Sequence, residues 1–245
     1  MLPPMKVRFL AALALAALSV SARADPATQP PRAPVVVELY TSQGCDDCFR
    51  ANRLIGEWKR DPGLIALTFP VGYWDYLGWS DTFAQVDFSN RQRDFSRALH
   101  TRAPFTPQLV IEGVTQVSAS DWDEARGALT EVQATPAAEG APNVTLTRTP
   151  TALHINIEGG VMRAPADIWL LSVDPGPLAV AILYGENANR VMIHYNLVRR
   201  IRNVGTWRGA PMSFDAMRCL PQCAVLVQNE NGGRILAAAM TRHSQ

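Results

Sequence analysis

The sequence predicts an α/β N-terminal domain over residues 35–135 and a mainly β C-terminal extension over residues 143–245. In the first region, a β-branched run is followed by helical apolar periodicity and then by a second short apolar run. Between the regions, small residues and prolines at 135–142 are typical of a linker. Beyond the linker, short apolar runs alternate with turn residues, which favours a mainly β region.

Residues 1–24 have the parts of a secretory signal peptide. Two basic residues precede an apolar run at 9–20, and a small-x-small sequence ends at Ala24. The run is shorter than the roughly 20 apolar residues that span a bilayer, so we expect cleavage and no membrane span afterwards. The four prolines of residues 25–34 predict an extended tether after the cleavage site.

The charge of the chain argues against two classes of partner. The formal charge is +1, and removal of residues 1–24 changes it to −2 because three basic residues and no acid are lost. Neither value provides the basic surface that binds nucleic acid or an anionic membrane, so we expect neither partner.

The four cysteines form two close pairs, Cys45/Cys48 and Cys219/Cys223. An exported chain meets oxidising conditions, so we expect a periplasmic or secreted protein with disulfide bonds. The sequence permits three connectivities and does not choose among them. For Cys219 and Cys223 we expect a structural disulfide, with a second redox pair that passes electrons to Cys45/Cys48 as the alternative.

The elements of the N-terminal region follow in order. A first strand at 35–40 and a second at 64–69 flank a helix, so we expect a parallel pair with a right-handed crossover. Residues 70–79 form an aromatic loop, and Ser120 is the expected cap of the last helix. The remaining predicted elements are helices at 46–60, 81–99 and 120–133 and a strand at 108–111.

In the C-terminal region, Asn231-Gly232-Gly233 is a hairpin signal between two apolar runs. Gly185-Glu186-Asn187 and Asn196 have two open interpretations, either as links between the halves or as a second polar site. The predicted strands are residues 144–147, 153–157, 168–173, 179–183, 224–228 and 234–240.

Cys45 and Cys48 lie where the first strand turns into the first helix, which suits a redox pair. A helix N-terminus stabilises a thiolate, and two cysteines three residues apart can close a disulfide across the first turn. Cys45 is the predicted nucleophile and Cys48 the thiol that resolves the mixed disulfide. The alternative is a permanent disulfide that ties the strand to the helix, although so short a ring stabilises a fold only modestly.

Further candidate residues come from the aromatic loop and from the entrance of the strand at 108–111. Tyr73 and Trp74 are expected to form a substrate wall, and Asp75 to hydrogen-bond within the loop, although core packing of the loop is equally open. Thr106 and Pro107 enter the strand, and Pro107 is a candidate cis-proline.

Several motifs together resemble one known family. They are Glu38 to Cys48 with its two cysteines, Tyr73-Trp74-Asp75-Tyr76-Leu77-Gly78-Trp79, Thr106-Pro107-Gln108, Gly185-Glu186-Asn187 and Asn196-Leu197-Val198. The chain resembles a secreted bacterial family of unknown function in the thioredoxin-like superfamily. This resemblance implies a thioredoxin-like fold for the α/β domain, with Thr106 and Pro107 passing opposite the sulfurs. It assigns no reaction, so enzymatic activity stays open.

The site departs from the usual thioredoxin pattern in its charge. Gly44 precedes the first cysteine, and Asp46 and Asp47 lie between the two thiols. Carboxylates beside Cys45 oppose its thiolate, which argues for a reducing couple and against a strong oxidant.

Two functions from different classes follow. The first is an exported thiol-disulfide oxidoreductase without a cofactor, in which Pro107 shapes the substrate side. Its partners would be a protein or peptide thiol or disulfide and a separate redox partner. The second is a non-catalytic envelope binding module with structural disulfides. In it the aromatic loop and the β-rich region would recognise a peptide, a cell-envelope component or a metal-bearing partner. Solvent access at Cys45 distinguishes them, because a buried, permanently bonded sulfur argues against the oxidoreductase.

Metal binding by Cys45 and Cys48 is a further hypothesis. Two thiolates suit copper(I) or zinc, but a closed zinc site needs four ligands. His100, His154 and His194 are distant in sequence from the cysteines, so we expect no metal site and an ordinary surface or core role for each histidine.

Overall fold

The structure is a computed structural model that describes residues 33–161, 164–217, 219 and 221–241. The predicted signal peptide and residues 25–32 of the predicted tether lie outside the described residues. Within the described ranges, no helix is long and apolar enough to cross a membrane.

The described residues contain far more strand than helix. The helices are α1 (Cys48–Trp58), α2 (Val86–Ala98) and α3 (Trp122–Ala134), with a 3-10 turn at Asp75–Leu77. The strands are β1 (Val35–Thr41), β2 (Leu64–Pro70), β3 (Gln108–Ile111), β4 (Thr115–Ser118), β5 (Val144–Arg148), β6 (Ala152–Ile157), β7 (Ala166–Asp174), β8 (Leu178–Ile182), β9 (Arg190–His194), β10 (Leu197–Trp207), β11 (Met212–Met217), β12 (Gln222–Asn229) and β13 (Ile235–Met240).

The predicted fold class, a thioredoxin-like α/β N-terminal domain with a mainly β extension, is wrong. Thirteen strands and three α-helices in the described ranges make the fold mostly β, and eight strands form one mixed sheet in the order β13-β12-β7-β10-β2-β1-β3-β4. Strands from both regions therefore share one sheet. The proposed boundaries at 135 and 143 stay a prediction.

The junction in this sheet is β10, which lies parallel to β2 and antiparallel to β7. The backbone N–H of Thr68 donates to the carbonyl of Asn196 at 3.0 Å, and its hydroxyl donates to the carbonyl of Tyr195 at 2.7 Å. β10 is not predicted from the sequence, because Arg199, Arg200 and Arg202 interrupt its apolar pattern.

Several local predictions are confirmed. β1 and β2 are parallel neighbours joined through α1, and β12 pairs with β13 across the Asn231-Gly232-Gly233 turn. One cap is wrong, because Asp121 and not Ser120 caps α3. The Asp121 carboxylate accepts hydrogen bonds from the backbone N–H groups of Asp123 and Glu124.

Alternate residues of β1 face two different cores, as the two-residue repeat of a strand requires. Val35, Val37 and Leu39 pack with α1 and α3, whereas Val36 and Tyr40 pack with α2 and the strands of the C-terminal half. The eight-stranded sheet is thus covered on both faces along β1, and all seven residues of this strand are buried.

The core on the α2 side contains a buried ion pair. The guanidinium of Arg91 donates to both carboxylate oxygens of Glu38, at 2.6 and 2.8 Å, and the Tyr40 hydroxyl donates to the same carboxylate at 2.8 Å. The Arg91 guanidinium also lies 4.9 Å from the ring centre of Phe95. Because each buried charge has a partner, α2 is fixed on β1.

The other two sheets are small. β11, β6 and β5 form a three-stranded antiparallel sheet, and β8 pairs with β9 alone. We refer to residues 178–194 as the β8–β9 hairpin. It packs against α1 and so lies over the segment that joins β1 to α1.

Candidate functional site

The candidate site is built where β1 ends and α1 begins. Cys45 and Cys48 are bonded as a disulfide, with their Cα atoms 5.4 Å apart, and Cys48 is the first residue of α1. The side-chain amide of Asn52, one turn further along α1, donates to the carbonyl of Cys48 at 2.9 Å and to the hydroxyl of Thr41 at 2.8 Å. The predicted position of the pair is confirmed, while its catalytic role stays a prediction.

The disulfide is covered. Cys45 is 6% exposed and Cys48 is 0% exposed. Both belong to a buried cluster with Phe49 of α1 and with Ile182 and Met192 of the β8–β9 hairpin. The hairpin therefore separates the two sulfurs from solvent.

Polar contacts hold the tip of the hairpin to the cysteine segment. Arg190 forms an ion pair with Asp46, and its guanidinium lies 3.6 Å from the ring centre of Phe49. The Arg190 guanidinium also donates to the side chain of Asn187 at 2.8 Å, and the Asn187 amide donates to the carbonyl of Gln43 at 3.0 Å. We call this group the Arg190 latch. Its ion pair lies at the surface, since Asp46 and Arg190 side chains are 80% and 41% exposed.

The latch changes the charge at the site. From the sequence, the carboxylates of Asp46 and Asp47 are both expected to oppose the Cys45 thiolate. In the structure, Asp46 is neutralised by Arg190. Asp47 accepts a hydrogen bond from the hydroxyl of Ser120 at 3.2 Å. The Arg190 contribution could not be found from sequence, because Arg190 lies 144 residues from Asp46 and no motif marks it.

A buried polar network lies beside the disulfide. The Gln43 side-chain carbonyl accepts from the indole N–H of Trp79 at 2.7 Å, which turns its amide toward Nε2 of His194 at 3.4 Å. On the other side of the ring, Nδ1 of His194 lies 3.1 Å from the side-chain oxygen of Asn52. His194 thus carries its proton on Nδ1, because the Asn52 amide nitrogen already donates to Thr41 and Cys48.

Two titratable groups of this region are shifted in opposite directions. Burial lowers the pKa of His194 from 6.5 to about 4. Burial raises the pKa of Asp81 from 3.8 to about 6, although the backbone N–H groups of Phe83 and Gln43 donate to its carboxylate and oppose the shift. At neutral pH, His194 is neutral and Asp81 is charged.

The aromatic loop reaches the cysteine cluster through Trp74. Trp74 packs on the cluster, and a Cβ atom on Gly44 would lie 3.0 Å from the Cβ of Trp74, so the loop and the cysteine segment are in close contact. The indole N–H of Trp74 donates to the Thr106 hydroxyl at 2.7 Å. Tyr73 also hydrogen-bonds Thr106 through its side chain, and burial raises its pKa.

The remaining predicted substrate-side residues are close by in the chain. The peptide bond between Thr106 and Pro107 is cis, as the sequence predicted, and Pro107 is buried at the entrance of β3. Asp75 accepts a hydrogen bond from the backbone N–H of Asp81 at 3.1 Å, so its side chain ties the aromatic loop to the residues that follow it. Binding of a substrate by these residues stays a prediction.

The second pair, Cys219 and Cys223, is also bonded and buried. All four cysteines lie in described parts of the chain and all are paired, so the connectivity that the sequence left open is local in both cases. The backbone N–H of Cys223 donates to the Thr241 hydroxyl at 2.9 Å. Disulfides point to an oxidising environment outside the cytosol.

The three histidines among the described residues lie apart from one another. His154 pairs with Asp215 on the three-stranded sheet, His100 is exposed, and His194 belongs to the network described above. Within the described ranges, no three or more His, Cys, Asp or Glu side chains are grouped as metal ligands.

The two asparagines of the C-terminal motifs link the halves, which confirms the first of their two interpretations. Asn187 donates to the carbonyl of Gln43, and Asn196 donates to the carbonyl of Ala66 at 2.8 Å.

Comparison with known proteins gives a family and a structural neighbour. A family model described as "Protein of unknown function (DUF1223)" matches residues 36–228. The chain is similar to a crystallised protein from Agrobacterium tumefaciens, with 26% sequence identity and a TM-score of 0.70, over 88% of this chain and 100% of that one. Comparison with curated proteins found no match. Resemblance to a family of unknown function is therefore confirmed, and neither match bears on the thioredoxin-like superfamily.

Proposed function

Because the chain belongs to the DUF1223 family, for which no function is known, we propose a function from its own site. It is a thiol-disulfide oxidoreductase of an oxidising compartment, periplasmic or secreted. Its redox centre is the Cys45–Cys48 pair, and the β8–β9 hairpin is the cover that lifts to give a substrate access.

One observation carries this proposal: the disulfide lies at the N-terminus of α1 and is covered by the β8–β9 hairpin, which is not hydrogen-bonded into the eight-stranded sheet. In the described part of the chain, β8 and β9 pair with each other and with no strand of the eight-stranded sheet. No backbone ladder therefore has to break when the hairpin lifts. The ion pair of the Arg190 latch, which holds its tip, is largely at the surface.

The cost of lifting the hairpin can be bounded from the side chains that it buries. Ile182 and Met192 are both 0% exposed beneath it. Burial of such a side chain contributes roughly 1.5–3 kcal/mol, so opening costs at least about 3–6 kcal/mol before the Arg190 latch is included. With about 1.4 kcal/mol for each factor of ten, at most roughly one molecule in a hundred to one in ten thousand is open. This population supports slow, selective exchange with a thiol.

In the open state, the exchange follows ordinary thiol-disulfide chemistry. The thiolate of Cys45 attacks one sulfur of a substrate disulfide, the S–S bond of the substrate breaks, and one substrate thiolate leaves and takes up a proton. The thiolate of Cys48 then attacks the Cys45 sulfur and releases the second substrate thiol. Two electrons pass to the substrate, and the protein ends as the disulfide. The reverse sequence oxidises a dithiol.

The substrate side of the centre is assigned to the surface that Trp74 shares with Thr106. Trp74 packs on the cysteine cluster and hydrogen-bonds Thr106, while Tyr73 is partly exposed beside them. An aromatic wall next to a strand entrance suits an extended peptide, which can offer backbone groups and side chains at once. Pro107 shapes this side at the start of β3.

The test compares two single-cysteine variants of the centre. In Cys48→Ser the remaining thiol is Cys45, and in Cys45→Ser it is Cys48. We expect Cys48→Ser to release one equivalent of coloured thiolate from Ellman's reagent in the folded protein and to hold a mixed disulfide with a peptide thiol. Cys45→Ser should react markedly more slowly. Equal and negligible reaction of both variants until the protein is denatured would overturn the proposal.

A non-catalytic binding module is the second candidate, and the burial of both sulfurs favours it. The outer face of the β8–β9 hairpin is apolar and exposed, with Leu183, Val191 and Ile193 each at least 40% exposed. In this function the Cys45–Cys48 bond ties β1 to α1, and the hairpin face contacts a partner. Resistance of the disulfide to reduction in the folded protein is its expected signature.

A further inference from the structure

We propose that Cys45 and Cys48, once reduced, bind a copper(I) ion together with the thioether of Met192. This inference rests on the proposed function, because the pair must be reducible before its sulfurs can serve as ligands. It adds a ligand class that neither the family nor the predicted redox cycle supplies.

The third sulfur comes from the β8–β9 hairpin. Met192 lies on β9, is fully buried, and belongs to the same cluster as Cys45 and Cys48. The Asn52 amide nitrogen lies 3.5 Å from the Met192 sulfur and 2.9 Å from the carbonyl of Cys48. These distances place the thioether beside the first turn of α1, next to the cysteines.

The donor set selects a soft ion. Two thiolates and one thioether are the ligand types that favour copper(I), whereas carboxylate and carbonyl oxygens favour hard cations. The N-terminus of α1 stabilises the thiolates, because its dipole favours negative charge. A dithiolate with a monovalent ion has one net negative charge, which this helix N-terminus partly offsets.

A zinc site is disfavoured because the described residues offer no fourth ligand beside the three sulfurs. Structural zinc takes four ligands in a tetrahedron. His194 contacts Asn52 beside the cluster, but both of its ring nitrogens are directed to the side chains of Asn52 and Gln43. The Asp46 carboxylate is exposed and paired with Arg190. Three sulfurs without a fourth donor suit the low coordination number of copper(I).

Copper binding requires reduction of the disulfide and then deprotonation of both thiols. A dithiol reductant gives two electrons and two protons to the Cys45–Cys48 disulfide and is itself oxidised to a disulfide. The two protein thiols then lose two protons to solvent as the copper(I) ion binds, and no electron is transferred in that step. Metal affinity is therefore expected to rise with pH, because each ligand thiol must be deprotonated.

The experiment is a competition for copper(I) between the purified protein and the chromogenic chelator bicinchoninate. The protein is first reduced with a phosphine, which is then removed without air, and the same titration is run on the oxidised protein. Matched variants are Met192→Leu, which conserves volume, and Met217→Leu, which removes an exposed methionine of β11. Far-ultraviolet circular dichroism confirms the fold of each variant.

We expect each molecule of reduced wild-type protein to withdraw one copper(I) ion from the chelator, and the oxidised protein to withdraw none. Met192→Leu should weaken binding at least tenfold, and Met217→Leu should leave it within twofold of wild type. X-ray absorption should show sulfur ligands alone.

Two results overturn the copper inference. One is a reduced protein that withdraws no copper(I), and the other is a Met192→Leu protein that binds as tightly as wild type. If either occurs while Cys45 still exchanges with thiols, the proposed redox function stands and only the copper site fails. If the disulfide of the folded protein resists every reductant, both proposals fail together.

Discussion

Replacing Arg190 by glutamine should speed the reduction of Cys45–Cys48, because it releases the tip of the β8–β9 hairpin. The substitution removes the ion pair with Asp46 and the stacking of the guanidinium over Phe49. Glutamine keeps much of the side-chain length, so the apolar contacts of Ile182 and Met192 beneath the hairpin are left in place.

The magnitude follows from the two lost contacts. An exposed ion pair contributes about 0.2–1 kcal/mol, and the exposure of Asp46 and Arg190 puts this one in that class. A cation–π contact at an exposed site contributes about 0.5–1 kcal/mol. Together they change the opening equilibrium by about 1–2 kcal/mol, which is a factor of about 5–30 in the open population.

The assay is the rate of disulfide reduction by dilute dithiothreitol, with thiols trapped by alkylation and mapped by mass spectrometry. When opening is fast compared with attack, the rate follows the open population, so the Arg190→Gln rate should rise about 5–30-fold. Arg208→Gln, at an exposed position after β10, is the control and should match wild type. The Cys219–Cys223 bond is the internal reference. An unchanged Cys45–Cys48 rate in folded Arg190→Gln would refute the latch.

Three further variants test the buried polar groups. Asp81 contributes to stability below pH 3.8 and loses that contribution as pH rises through about 6. Acidification from pH 7 to pH 4 should therefore favour wild type over Asp81→Asn by about 2 kcal/mol, measured by urea titration. His194 contributes to stability above pH 6.5 and loses its contribution as pH falls through about 4. The same acidification should therefore disfavour wild type against His194→Gln by about 3 kcal/mol. Parallel pH profiles of wild type and variant would contradict the shift at either residue. Glu38→Gln leaves Arg91 buried without its counter-charge and should lower the free energy of unfolding by about 3–5 kcal/mol, against less than about 1 kcal/mol for Glu57→Gln in an exposed pair.

Local signals in the sequence were sufficient for the position of the candidate site. The β-branched run before Gly44 and the apolar periodicity after Cys48 place the cysteines at a strand-to-helix turn, and β1 and β2 pair in parallel as that order requires. Such features depend on residues close in the chain, whose pattern reports burial directly.

The fold class failed because its decisive contacts are between distant residues. β10 carries exposed arginines on a strand that joins β2 to β7, so its pattern is typical of a charged loop. With β10 hidden, the sequence gives no sign that strands of the N-terminal and C-terminal regions share the eight-stranded sheet.

The position of the β8–β9 hairpin over the site could not be predicted either, because its contacts are also between residues distant in the chain. β9 was not predicted, because its exposed Arg190, Val191 and Ile193 alternate with only two buried residues, Met192 and His194. Nothing in a five-residue strand indicates which helix it will pack on. The burial of Cys45, which decides how a substrate gains access, therefore came from the structure alone.

The reduction potential of Cys45–Cys48 in the folded protein tests the central claim most directly. It is measured by titration in glutathione and dithiothreitol buffers, with thiol trapping and mass mapping of each cysteine. A redox centre predicts a potential above about −300 mV, with Cys45 trapped in preference to Cys48. A potential below about −300 mV with both sulfurs inaccessible would make the bond structural and would contradict the account.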